Sequence, residues 1–218
     1  MINYKNIFTA FTVSTLAVEA TLTPAEYCEK YISFDKMLSA PIDHFDFSYS
    51  PYMKDVVNAF DYTGQKKEIT VCAIEQTAKT FSAICGLLWN FKFKKSLSLV
   101  VYPSEQKSTK INREKIQPLL KAIPEYEQAL SKYLAITDTY YDFGGFKSYF
   151  LGGGADISSY SVPLIVIDES DEQPDVLSGC RKRLRAFSES LLVKVSSPVG
   201  NNSKIYKEWL QSSKGMWH

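Results

Sequence analysis

Eight consecutive residues, Ala73-Ile74-Glu75-Gln76-Thr77-Ala78-Lys79-Thr80, follow the phosphate-cradling pattern G-x-x-x-x-G-K-[ST], with alanine in both glycine places. Such a loop needs a lysine that reaches the β and γ phosphates, a hydroxyl for Mg²⁺, and amides at a helix start turned toward the anion. Lys79 and Thr80 supply the first two, and Gln76, Thr77 and Ala78 offer amides. Alanine at 78 still donates its amide, but it adopts positive φ only at a cost, so the loop must follow a right-handed path or hold strain. The competing reading is an exposed Lys-Thr pair at an ordinary helix start.

A second group is Leu164-Ile165-Val166-Ile167-Asp168-Glu169, four apolar residues running into two carboxylates. At a strand end, the aspartate of such a pair holds Mg²⁺, usually through water, and the glutamate orients and deprotonates an attacking water. The bland alternative is that the pair opens the acidic loop continuing through Asp171, Glu172 and Asp175. Lys79 and Asp168 stand 89 positions apart, which leaves room for two further strand-helix units. A third element, Ser196-Ser197-Pro198, follows the apolar run Leu191 to Val195, where nucleotide-driven motors keep a short polar motif that senses the γ-phosphate. The run Arg181-Lys182-Arg183-Leu184-Arg185 is a solvated helix face, a set of DNA phosphate contacts, or the source of an arginine for a neighbour's γ-phosphate. Arg185 is the choice for that last role.

These residues need elements to hold them. Thr23-Pro24-Ala25-Glu26 is a capping box with proline at the first helical position, and Tyr27, Tyr31, Phe34 and Leu38 continue at helical spacing. A second helix starts at Ser50-Pro51 and carries Met53, Val56, Val57 and Phe60. From Glu68 the chain alternates. Strands are expected at 69–74, 97–102, 164–167 and 191–195, and helices at 78–89, 104–122, 125–134 and 174–187. Consecutive apolar residues suit strands buried on both faces of a mainly parallel sheet, so the fold class is a three-layer α/β domain. The division expected is a helical lead-in over 1–65 and the α/β body over 66–218.

The whole has 218 residues, 45% hydrophobic, with a net charge of +1, which supports a real core and gives no global electrostatic signature of a nucleic-acid or membrane partner. The four cysteines form no C-x-x-C pair, so neither a zinc site nor a disulfide framework is expected. A Ser-His-Asp mechanism would depend on His44 alone, beside Asp43 and Asp46. No apolar run reaches the roughly 20 residues that span a bilayer. The stretch from Ile7 to Val18 is a poor signal peptide, broken by threonines with Lys5 its one basic residue, so a reducing cytoplasm is the expected compartment.

In series these motifs resemble the ATPase part of the large terminase subunit of tailed bacteriophages, in its lambda-like branch. The resemblance covers roughly residues 22 to 210 and rests on six stretches. They are Leu22 to Tyr27 (leading helix), Ser50-Pro51-Tyr52-Met53 (adenine-side motif), Glu75 to Thr80 (phosphate loop), Phe150 to Ala155 with Ser158 (glycine-rich turn), Val166 to Asp171 (acidic strand end) and Ser196-Ser197-Pro198 (coupling motif). It implies a P-loop NTPase of the additional-strand (ASCE) type that uses ATP and Mg²⁺ to push double-stranded DNA into a procapsid. Lys79 and Thr80 would hold phosphates and metal, Asp168 the metal, Glu169 the catalytic water and Tyr52 the adenine, and Ser197 would link γ-phosphate loss to movement. A small terminase subunit, a portal, a homo-oligomeric ring and the cytoplasm of a bacterial host come with the resemblance; a membrane does not. Ala78 departs from the family's glycine, and no second acidic cluster marks the family's nuclease domain before Trp217-His218. The alternatives are a degenerate nucleotide- or DNA-binding module without hydrolysis, a helicase-like ATPase, or a structural α/β domain.

Overall fold

The computed structural model describes residues 22–34, 44–123, 126, 135–200 and 202–212. Leu38, Asp43, the expected helix at 125–134 (Tyr126 apart) and both chain ends lie outside these residues. The capping box forms as the sequence dictates: the Thr23 amide donates to Glu26 Oε2 at 2.8 Å, and Thr23 Oγ1 accepts from the Glu26 amide at 3.3 Å. Helix α1 (Pro24–Tyr31) is shorter than its apolar spacing predicts, because Ile32 turns extended and leaves Phe34 beyond the helix. The second start signal yields a 3₁₀ turn (Pro51–Met53) running into α2 (Lys54–Asn58).

Seven described strands make one sheet: β1 (Lys66–Cys72), β2 (Ser98–Tyr102), β3 (Ala135–Ile136), β4 (Tyr140–Asp142), β5 (Lys147–Gly152), β6 (Leu164–Asp168) and β7 (Ser190–Ser196). Their order is β1-β7-β6-β2-β5-β4-β3; the first five run parallel, and β4 and β3 extend the sheet antiparallel. The expected strands are all present with shifted ends, while β3, β4 and β5 were not anticipated. The β4–β5 turn is built on Phe143-Gly144-Gly145-Phe146, where Gly144 takes φ +79° and the two phenylalanine rings stack at 4.6 Å.

Helix α3 (Lys79–Trp89) follows β1 and runs on into a π-turn, Asn90–Lys94. The expected helix at 104–122 is helical from Glu105 to Ala122 but not uniform. It comprises α4 (Glu105–Ile111), a π-turn (Asn112–Ile116) and α5 (Gln117–Ala122). Pro118 has no amide for the α-helical ladder, which accounts for the widened turn before it. Helix α6 (Leu177–Leu184) is shorter than expected, and α7 (Lys204–Leu210) packs against β1 and β7.

Neighbouring residues on the central strands divide between two cores, which is why they are apolar in succession. Val100, Val166 and Val193 join α3, α4, α5 and the lead-in, while Leu99, Val101, Ile165, Ile167 and Leu192 meet Cys180 and Leu184 of α6. Each fully buried aliphatic side chain contributes about 1.5–3 kcal/mol, so these two layers supply most of the driving force. On the α6 side the strands also carry charge. Lys194, 3% exposed, lies 2.6 Å from Glu68 Oε1 and 2.7 Å from Glu208 Oε2, and Arg181 meets the same two carboxylates at 2.6 and 2.7 Å. This cluster ties β1, β7, α6 and α7 together.

The lead-in shares the first core rather than standing apart from it. Gly86 of α3 lies so close to Phe60 that a Cβ there would meet the ring at 2.2 Å. Gly86→Ala is therefore expected to destabilise the fold by about 1–3 kcal/mol through overpacking, seen as a lower denaturation midpoint in urea. An unchanged midpoint would mean that the lead-in moves aside freely.

Candidate functional site

Parallel strands β1, β7 and β6 end side by side, so their exit loops converge at one edge of the sheet. The loop after β1 holds a left-handed backbone at two non-glycine residues, Gln76 and Ala78, each with φ of 61°. The strained alternative foreseen for Ala78 is the one realised, at a cost of about 1–2 kcal/mol for an L-residue in this region. With Ala78 left-handed at its start, α3 begins at Lys79, and Lys79 is 5% exposed. Its Nζ donates to the Ile74 carbonyl at 3.1 Å and to Ser197 Oγ at 2.8 Å, and lies 3.8 Å from Glu169 Oε1. Thr77 Oγ1 donates to the same Ile74 carbonyl at 2.7 Å, which closes the loop on itself.

At the end of β6, Thr80 Oγ1 donates to Asp168 Oδ1 at 2.9 Å. The other oxygen, Oδ2, is buried without a hydrogen-bond partner among the described residues. Burial pushes the Asp168 carboxyl up from 3.8 to about 6, with the Thr80 hydroxyl working against the shift and the nearby Glu169 charge adding to it. A buried, unpartnered carboxylate oxygen costs free energy unless a cation or a polarised water meets it. Thr80 and Asp168 therefore fit Mg²⁺, which takes few protein oxygens and completes its octahedron with phosphates and water. No cluster of three or more His, Cys, Asp or Glu able to hold a metal occurs among the described residues.

Glu169 is also left-handed, at φ 49°, which swings its side chain from β6 toward the end of β7. There Oε2 accepts from the Ser197 amide at 3.2 Å and from Ser196 Oγ at 3.3 Å. The structure thus brings together Lys79, Thr80, Asp168, Glu169 and Ser197, five residues expected from the sequence. It adds a role for Ser196, which the sequence placed in the same motif without one.

Two expected site residues, Tyr52 and Arg185, lie apart from this group. A cavity of about 160 Å³ adjoins Ala78, walled by rings from Phe34, Phe45, Phe47, Tyr49 and Phe81, with Ser50 and Met53 also in its lining. The Ser50 to Met53 motif thus reaches this cavity through Ser50 and Met53, whereas Tyr52 packs against the core and does not line it. Arg185 is exposed beside the first residue of β1, where its carbonyl accepts from Lys66 Nζ at 3.3 Å. Seven strand residues, roughly 20 Å, separate that edge from the phosphate loop, so Arg185 does not meet the other site residues within the chain. His44 contacts the Glu29 carbonyl and bridges Ser33, and takes no part. The glycine-rich turn after β5 has a packing reason: a Cβ on Gly152 would meet the Glu105 amide nitrogen at 2.3 Å, and one on Gly153 the Pro103 carbonyl at 2.4 Å.

Two predictions follow from the strain and the burial. Ala78→Gly is expected to stabilise the chain by about 0.5–1 kcal/mol, the relieved strain less the extra freedom of the unfolded glycine, and Ala78→Val to destabilise it by about 2 kcal/mol. Chemical denaturation separates these signs. For Asp168 the folded pKa lies above the unfolded one, so the folded chain binds more protons between pH 4 and 6, and the residue lowers stability as pH rises through that window. Asp168→Asn should gain up to about 3 kcal/mol at pH 7 and nothing below pH 4. A pH-independent difference would contradict this.

A profile of the phage terminase large subunit gpA ATPase domain matches residues 39–218. Among solved structures, the large terminase of bacteriophage HK97 is 14% identical with a TM-score of 0.67, over 85% of this chain and 39% of that one. The large terminase ATPase domain of Thermus phage P74-26 is 15% identical with a TM-score of 0.56, over 86% and 78% of the two chains. A large terminase from a thermophilic bacteriophage in complex with ATP-gamma-S is 16% identical with a TM-score of 0.50, over 74% and 41%. A search of curated proteins returns no match. The chain spans 39% of the HK97 protein's length, and at these identities the structures establish the fold alone, an α/β architecture with β7 between β1 and β6 in this chain. With the profile covering most of its length, the chain belongs to the phage terminase large subunit gpA ATPase-domain family.

Proposed function

We propose that this chain is the ATP-hydrolysing motor part of a viral packaging enzyme that drives double-stranded DNA into a procapsid. The observation that carries the reading is the convergence of Lys79, Thr80, Asp168, Glu169 and Ser197 at one sheet edge, with a buried Asp168 oxygen that has no hydrogen-bond partner among the described residues. Amides of Gln76, Thr77 and Ala78 and the Lys79 ammonium hold the phosphates, and Thr80 with Asp168 would hold Mg²⁺, which would supply positive charge against the phosphates. The aromatic cavity beside Ala78 takes the base.

Lys79 stands between two anions, a phosphate and Glu169. When the ammonium pairs with phosphate, the Glu169 carboxylate is released from that pair to orient and deprotonate water, while Ser196 and Ser197 hold its other oxygen. Loss of the γ-phosphate returns Lys79 to Ser197, and this is how the end of β7 senses the nucleotide. The guanidinium of Arg185 makes no ion pair among the described residues, and its reading is a contact across a ring interface rather than within the chain. The ring, the portal, the small subunit and the host cytoplasm belong to the same proposal. No helix among the described residues is long and apolar enough to cross a membrane.

The test is nucleotide binding and steady-state turnover with Mg²⁺, with and without double-stranded DNA. Lys79→Ala should abolish saturable ATP binding, and Glu169→Gln should retain binding and lose about 10²- to 10⁴-fold in kcat. Affinity for Mg²⁺-ATP should rise as pH passes about 6 and Asp168 ionises. Binding that survives Lys79→Ala would remove the phosphate-loop assignment, and binding without turnover would return the chain to a nucleotide-binding module.

A further inference from the structure

Asp171 belongs to the acidic loop, two residues beyond Glu169, in the short 3₁₀ turn Ser170–Glu172. Its contacts exceed those of a solvated loop residue. The amide donates to Ser196 Oγ at 3.2 Å, Oδ2 accepts from the Val199 amide at 3.1 Å, and Oδ1 accepts from the Ile205 amide at 2.6 Å. Burial alone would raise its pKa; the Ser203 hydroxyl and the amides of Ile205, Val199 and Lys204 outweigh it and hold the carboxyl below its ordinary value. The group is therefore an anion at neutral pH, and its bonds are the strong, charge-assisted kind.

The carboxylate reaches two places, Val199 and Ile205, and the backbone amide of the same residue reaches a third, Ser196. Ser196 is the last residue of β7, Val199 lies on the far side of Ser197-Pro198, and Ile205 is in the first turn of α7. One residue of the acidic loop thus fastens both flanks of the turn that presents Ser197, and fastens α7 to the same point. A carboxylate serving only to cap α7 would need the Ile205 amide alone, because Ser203 already accepts from Tyr206 at 3.1 Å. The carboxylate's second contact, with the Val199 amide, and the main-chain contact with Ser196 both belong to the turn after β7 instead. Lys204 adds a second tie by donating to the Gln173 carbonyl at 3.0 Å, while Glu208, further along α7, meets Lys194 of β7. Helix α7 is therefore attached to the acidic loop at its start and to β7 along its length.

We propose that Asp171 is a positioning residue for water activation: it holds the turn after β7 against the acidic loop, fixes Ser197 between Lys79 and Glu169, and makes α7 move with that contact. This rests on the ATPase reading for its chemical consequence, though not for its geometry. Glu169 finds its water only if the Ser196 hydroxyl and the Ser197 amide stay where they hold Oε2. A loose turn would let the carboxylate wander and cost turnover without touching the phosphates. The predicted signature is a loss in kcat with little change in KM.

The experiment compares the full chain with Asp171→Ala and Asp171→Asn by amide hydrogen exchange and by ATP turnover. The Ser197 amide is the informative probe, since it donates to Glu169 and never touches Asp171. Without nucleotide, Asp171→Ala should speed exchange at Ser197 and Ile205 by about tenfold or more and leave the Val166 amide in β6 unchanged. With Mg²⁺-ATP, kcat should fall about 10- to 100-fold and KM stay within about threefold, and Asp171→Asn, which retains one acceptor oxygen, should fall between. Protection of Ile205 and its α7 neighbours should respond to nucleotide in the parent chain and not in Asp171→Ala.

Unchanged exchange at Ser197 would reduce Asp171 to a cap of α7 and overturn the proposal. So would exchange raised equally in β6, which marks a merely structural role, or an unaltered kcat in a chain that hydrolyses ATP. If the parent chain hydrolyses no ATP, the motor reading fails, and the exchange at Ser197 still decides what Asp171 holds.

Discussion

The placement of β7 between β1 and β6 governs the carboxyl edge of this sheet. Strands lie about 4.8 Å apart, so one intervening strand sets the phosphate-loop strand and the acidic strand roughly 10 Å from each other. That span is too wide for their backbones to touch and narrow enough for side chains to meet. Thr80 crosses it to Asp168, and Lys79 and Glu169 approach each other above the end of β7, where Ser196 and Ser197 answer both. Placed directly against β1, β6 would leave no element between them to register the distance between ammonium and carboxylate. The intervening strand makes the site a three-part contact rather than a pair.

Strain accumulates at the same edge. Gln76, Ala78 and Glu169 are three of the four described non-glycine residues with positive φ, and all three belong to the loops that would handle phosphate and water. Each conformation costs of order 1–3 kcal/mol and persists only where its surroundings fix it. For Ala78 these surroundings are the start of α3 and the aromatic cavity beside it; for Glu169 they are the two serines at the end of β7. The two-layered hydrophobic core beneath the edge supplies the stability that offsets this strain.

Much of this was legible along the chain because it is written in local spacing. Thr23 and Glu26 announce a helix by their separation, and Val166-Ile167-Asp168-Glu169 announces a buried strand that ends in charge. Lys79, Thr80, Asp168 and Glu169 are found by reading the residue after each strand. What escaped was set by tertiary contacts. The division of labour between Ser196 and Ser197 depends on which face of β7 each one meets. Tyr52 and Met53 are neighbours in a 3₁₀ turn, and only the turn's orientation decides that Met53 reaches the cavity. Strands β3 to β5 carry short, mixed patterns whose pairing is fixed by two turns, Thr137 to Tyr140 and Phe143 to Phe146, and Pro118 alters a helix whose apolar spacing reads as regular. Asp171 looked like one more solvated acid until the amides around it were known.

The charge cluster on the α6 side has a consequence for how such a chain can change over time. Lys194, Arg181, Glu68 and Glu208 sum to zero, and Lys194 has almost no access to water. Losing a carboxylate leaves Lys194 short of a partner in a poorly solvated place, at a cost below the roughly 3–5 kcal/mol of a fully buried pair because Glu68 and Arg181 are partly open to water, whereas replacing the whole set by well-packed apolar groups is often neutral. Between those two acceptable compositions lie intermediates that are each less fit. Across the lineage the four positions should drift as a block, with a change at Glu68 accompanied by one at Lys194 or Arg181, even though they are spread over more than a hundred positions of chain.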